Sequence, residues 1–132
     1  MQPISLPDAR ALIDEIAGTD LTAASSPPTV CLCGSTRFWD LLAEANRTFT
    51  VAGAIVVAPG VDMKNPREQR HAPQDADRIK QRLDLLHRHK IARSDSVVVV
   101  TDATGYAGSS TRSEIVYARR LGIPAWHWRP AA

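Results

Sequence analysis

Cysteine occurs at only two positions in this chain of 132 residues, and aromatic residues make up 5%. No stretch approaches the roughly 20 consecutive apolar residues of a membrane span, so no membrane partner is expected. The first twenty positions have neither the basic start nor the apolar centre of a signal peptide, and a cytoplasmic location is the expectation. Charge of one sign is also missing. The net charge is +2, with acidic residues interleaved among Arg and Lys, which gives no footprint for a nucleic acid polymer. Neither a P-loop ending in Gly-Lys-Ser/Thr nor a G-x-G-x-x-G fingerprint is present. Internal repeats and low-complexity segments are absent as well.

The two cysteines, Cys31 and Cys33, point to one face if they lie on a strand. Their Cα atoms are then about 6.5–7 Å apart, at the limit of disulfide reach. A C-x-C pair with no further Cys and no nearby His does not make a zinc site. The expectation is two small buried hydrophobes and no metal.

What is there is ordinary for a globular domain: 44% apolar and 23% charged residues. A chain of this length holds one domain with a real core. Pro7-Asp8 followed by Ala9, Leu12, Ile13 and Ile16 predicts a short helix closed by Gly18, and Leu21–Pro28 reads as a linker. Residues 1–28 are therefore assigned to an N-terminal helix and linker, and residues 29–132 to the compact α/β domain. There, short apolar strands alternate with amphipathic helices. Strands are expected at 30–33, 54–58, 97–101 and 124–128, the second of them buried. Helices are expected at 37–51, 74–93 and 111–121. Pro59–Pro73 is a long polar loop of the kind that serves as a lid or binding loop, and its His71 has no partner legible in the sequence. Buried strands alternating with helices imply a parallel sheet covered on both faces, and right-handed crossovers make it a three-layer sandwich.

Ligands of such sheets bind where loops leave the carboxyl ends of the strands. One loop is Gly34-Ser35-Thr36-Arg37, where glycine allows close backbone approach and the hydroxyls and Arg form an anion cradle. The same residues also suit plain helix capping by Ser35 or Thr36. The other loop runs from Gly105 to Arg112; its Ser109, Ser110 and Thr111 suit helix capping or a ligand's hydroxyls or phosphate, and Tyr106 suits stacking on a ring or a surface position. Behind it Glu114 has two readings. It faces whatever the loop holds, or it closes a Thr111-Arg112-Ser113-Glu114 capping box. Asp84 and His87 share a helix face with Ile91, and there they provide either a general acid or an exposed polar surface. Asp95 suits a turn or cap. Trp126 and Trp128 suit packing or a subunit contact.

In order, Cys33–Phe38, Val56–Gly60, Leu83–Ile91, Ser94-Asp95 and Gly105–Ile115 resemble the nucleoside 2-deoxyribosyltransferase superfamily, which includes nucleoside 5′-monophosphate N-glycosidases, and within it a small bacterial and phage branch. The likeness spans roughly Val30 to Pro124. It implies a flavodoxin-like fold, a sheet of about four to five parallel strands in an order near 2-1-3-4. It also implies that Glu114 is a nucleophile attacking C1′ of a nucleoside or nucleotide through a glycosyl-enzyme intermediate. Asp84 and His87 become candidates for the acid and for orienting the sugar. Gly34, Ser35, Thr36, Arg37, Gly105, Tyr106, Ser109, Ser110 and Arg112 become candidates for holding phosphate, base or sugar hydroxyls. No metal or organic cofactor is required, and a homodimer or larger homo-oligomer is implied. The chain departs from the deoxyribosyltransferase pattern at Gly108, where those enzymes carry a base-reading aspartate, and at His87, where their helix aspartate falls. Two alternatives are a non-catalytic nucleotide-binding module and a related NAD-type glycohydrolase.

Overall fold

The computed structural model describes residues 2–23, 26–62, 65, 67 and 72–131, so His71 and much of the loop after Pro59 lie outside the described residues. Four strands, β1 (Thr29–Cys33), β2 (Ile55–Val57), β3 (Ser96–Val100) and β4 (Ala125–Trp128), form one parallel sheet in the order β2-β1-β3-β4. Helix α1 (Ala9–Ala17) precedes the sheet. Helices α2 (Trp39–Ala52), α3 (Ala76–Ala92) and α4 (Ser109–Arg120) connect its strands, and 3-10 turns at Thr36–Phe38 and Pro73–Asp75 lead into α2 and α3.

β1 and β3 read as unbroken apolar runs because both of their faces are covered. Side chains alternate along a strand, so each run feeds two cores. Val30, Leu32, Val98 and Val100 pack with Leu42, Ala45 and Phe49 of α2 and with Leu12 and Ile16 of α1. On the other face Cys31, Cys33, Val97 and Val99 meet Ile91 of α3 and Ile115 and Ala118 of α4. Each fully buried Val or Leu contributes about 1.5–3 kcal/mol. The cysteines are unpaired and buried. Trp126 and Trp128 pack on the α1/α2 side.

α1 begins where the Asp8 carboxylate accepts the Arg10 N–H at 2.9 Å. It buries Ala9, Leu12 and Ile16 in the same core as α2. The segment ahead of it runs beside β4: His127 N–H donates to the Pro7 carbonyl at 2.8 Å, and Ile4 N–H donates to that of Gly105 at 3.1 Å. The opposite edge differs from the sequence expectation. β2 is shorter than predicted, and Ile55 is half exposed, because a strand with one neighbour is covered less completely. Among the described residues no helix is long and apolar enough to cross a membrane.

At the amino ends of the central strands, Asp95 ties β3 to β1. Its carboxylate accepts the Thr29 N–H at 2.8 Å, and its own N–H donates to the Thr29 carbonyl at 2.9 Å.

Candidate active site

A cleft of about 780 Å³ opens at the carboxyl ends of β1 and β3, between the loops that leave them and the exposed face of α3. Gly34 turns the chain out of β1. A Cβ at this position would stand 2.7 Å from the Val100 carbonyl oxygen, so only glycine lets the loop cross the end of β3 this closely. Ser35 then caps the 3-10 turn, its hydroxyl accepting the Arg37 N–H at 3.3 Å. The Arg37 guanidinium lies over the rings of Phe38 and Tyr106, 5.2 and 5.9 Å from their centroids. This contact joins the first loop to the second across the cleft mouth.

In the second loop the Asp102 carboxylate accepts the N–H and hydroxyl of Thr104. Gly105 follows at φ +75°, a left-handed conformation. Helix α4 starts at Ser109 behind Gly108, two residues earlier than the sequence pattern placed it. That shift decides between the two readings of Glu114. A capping box needs Thr111 at the helix cap; instead Thr111 is buried inside the first turn, and Glu114 belongs to the second turn. No side chain caps α4, and Ser109 and Ser110 line the cleft beside its first turn.

The Glu114 carboxylate meets His87. Oε2 lies 3.1 Å from His87 Nε2, with side-chain exposures of 18% and 13%. Oε2 is buried, and this contact is an ion pair without a hydrogen bond. The same ring nitrogen lies 3.3 Å from Cys33 Sγ and 4.0 Å from Cys31 Sγ. Burial favours the neutral imidazole, but the Cys31 sulfur and the Glu114 carboxylate outweigh it and raise His87 to about 9. The hydrogen bond from Cys33 lowers Cys31 to about 6 against the cost of burial, with His87 adding to the effect. Serving as the donor in that bond, together with burial, pushes Cys33 well up.

Gly34, Ser35, Thr36, Arg37, Asp84, His87, Ser109, Ser110 and Glu114 are thus brought to one cleft. Asp84 sits on its α3 wall in an exposed ion pair with Lys80 at 3.1 Å. Gly105 and Arg112 are placed elsewhere. The carbonyl of Gly105 accepts from Ile4, and the Arg112 guanidinium donates to the carbonyls of Ala107, at 2.9 Å, and of Gln2. These bonds tie the N-terminal segment to the start of α4. Sequence reasoning missed the meeting of Cys31 and Cys33 with His87. It also missed Lys90, whose ammonium donates to the Ala58 carbonyl at 2.8 Å and anchors α3 to the end of β2.

Among solved structures, a 2-deoxyribosyltransferase of Bacillus psychrosaccharolyticus is similar to this chain with a TM-score of 0.61 and 13% sequence identity, over 79% of this chain and 74% of the enzyme. The two share a fold. The flavodoxin-like α/β arrangement and the strand order 2-1-3-4 expected from the motifs are those of the sheet described above. In this sheet β1 and β3 are neighbours, and the loops that follow them therefore open onto one cleft. No protein-family model and no curated protein matches the chain.

Proposed function

We propose that this chain cleaves or transfers at the N-glycosidic bond of a nucleoside or nucleoside 5′-monophosphate, with Glu114 as nucleophile. One observation carries the reading: the Glu114 carboxylate is released from any capping role, mostly buried, and turned into the cleft beside His87. A carboxylate needed only for helix stability has no reason to stand there.

Glu114 attacks C1′ as the bond from C1′ to the base nitrogen breaks, through a transition state with oxocarbenium character. The electron pair of that bond leaves with the base, which takes a proton from His87 or Asp84. Water or a second base then displaces the carboxylate from C1′. His87 also positions Glu114 through their 3.1 Å contact. Ser35, Thr36 and Arg37 on one side, and Ser109 and Ser110 on the other, suit the phosphate and sugar hydroxyls, with Tyr106 holding Arg37 in place. The homo-oligomer implied by the resemblance belongs to this reading.

The test is chromatography of free base released from ribo- and deoxyribonucleoside 5′-monophosphates, free nucleosides and NAD, run on wild type and Glu114→Gln. Release is expected from the wild type on at least one substrate. Losing the nucleophile should reduce it by about 10⁴-fold or more, on the scale of other nucleophile deletions, while the melting curve stays near that of the wild type. A Glu114→Gln protein that releases base at the wild-type rate removes Glu114 from the chemistry. Folded wild type silent on all four substrate groups refutes the reading for those substrates.

A further inference from the structure

Three ligand-type atoms converge beneath the cleft, and one ring nitrogen cannot satisfy both sulfurs by hydrogen bonding. Cys31 Sγ, Cys33 Sγ and a His87 ring nitrogen all lie within 4.8 Å of one another. The Glu114 Oε2 atom lies beside this group, 3.1 Å from His87 Nε2, and is buried without a hydrogen bond. One ring nitrogen offers a single hydrogen or a single lone pair. It serves at most one of the two sulfurs and the carboxylate gathered around it. A cation between the two sulfurs and the imidazole would serve all three.

We propose that Cys31, Cys33 and His87 form a binding site for a Zn²⁺-class ion, with Glu114 beside it against His87. Two sulfurs and an imidazole nitrogen are a soft-to-borderline donor set, suited to zinc and poorly suited to magnesium or calcium. Tetrahedral bonds of about 2.0–2.3 Å put neighbouring donors roughly 3.3–3.8 Å apart. The two sulfurs lie 3.3 and 4.0 Å from His87 Nε2, which brackets that range. The scaffold is rigid. Both cysteines face one way from β1, Cys31 paired with β2 and β3 and Cys33, the last strand residue, with β3, and His87 comes down from α3 one turn before the buried Ile91. The entry path is the cleft itself, where His87 and Glu114 keep 13% and 18% of their side chains exposed while the sulfurs are fully buried.

The site shares His87 with the catalytic reading and adjoins Glu114. If the preceding reading of Glu114 holds, the metal-bound and glycosidase-competent forms are alternative states of one cleft.

The test titrates chelator-treated, reduced full-length protein with Co²⁺ alone and then adds Zn²⁺. One equivalent of Co²⁺ should give tetrahedral visible bands and a thiolate-to-cobalt charge-transfer band in the near ultraviolet, both erased by one equivalent of Zn²⁺. Cys31→Ser and Cys33→Ser should each weaken the charge-transfer band, and the double variant should abolish it. A folded wild type without that band, or a band that survives in the double variant, overturns the proposal. Should the serine variants fail to fold, alkylation of the wild-type thiols by N-ethylmaleimide gives the same answer. Protection of both cysteines by one equivalent of Zn²⁺, at least tenfold in rate, supports the site, and an unchanged rate refutes it. Neither readout requires turnover, so failure here and failure of the base-release assay are separate results.

Discussion

Gly34 has no room for a side chain, since a Cβ would come within 2.7 Å of a backbone oxygen that cannot rotate away. Gly34→Ala should therefore cost about 1–3 kcal/mol, the range for forcing atoms into a packed site. Urea denaturation measures it, and a change below 0.5 kcal/mol would mean that the β1 loop moves freely (roughly the noise of neutral surface changes). His127 shows the same economy with charge. Its Nε2–H donates to the Thr101 hydroxyl at 2.7 Å, while that hydroxyl donates to the Asp102 carbonyl. Burial, with Arg129 nearby, lowers the pKa of His127. A histidine whose folded value lies below its unfolded value of about 6.5 gives its full stability above that pH and loses it as the pH falls through the folded value. Tm should thus drop further between pH 7 and pH 5 in the wild type than in His127→Gln. Equal drops would show that the ring is solvated.

Helix α1 belongs energetically to the sheet. Leu12 is only 6% exposed within the shared α1/α2 core, and Leu12→Ala should cost about 2–5 kcal/mol in a single cooperative transition. Val51, 88% exposed on α2, should change by less than about 0.5 kcal/mol on going to Ala. A separate early transition in the Leu12→Ala protein would mean that α1 melts alone. Much of this level was legible in the sequence. Runs such as Val97–Val100 declare a doubly covered strand, and the small polar loops after Cys33 and Val100 mark the ligand end. The start of α4 was not legible. Thr111-Arg112-Ser113-Glu114 satisfies the spacing of a capping box, and what moves the helix back to Ser109 is tertiary: Arg112 fastens its guanidinium to Ala107 and Gln2. The cysteine–histidine contact was hidden for a related reason. Strand alternation puts Cys31 and Cys33 on one face, but His87 is more than fifty residues away, and only the crossover of α3 lays it over that face.

At the scale of the whole molecule, α3 leaves Leu85 and Leu86 at 63% and 48% exposure, and Leu86 borders the cleft. These are the apolar side chains available to a subunit contact near the site. Sedimentation velocity should accordingly give a dimer or larger, converted toward monomer by Leu85→Glu; a wild-type monomer at micromolar concentration would rule out the oligomer. The Asp95 clamp on Thr29 acts over the same range. Adjacent strand residues face opposite layers, so a slip of β1 by one residue against β3 would exchange Cys31 and Cys33 with Val30 and Leu32. Both thiols would then lie against Phe49 and Leu42, beyond the reach of His87. The two hydrogen bonds of Asp95 at the far end of the sheet set the phase of the strand, and through it which layer of the sandwich receives the sulfur chemistry.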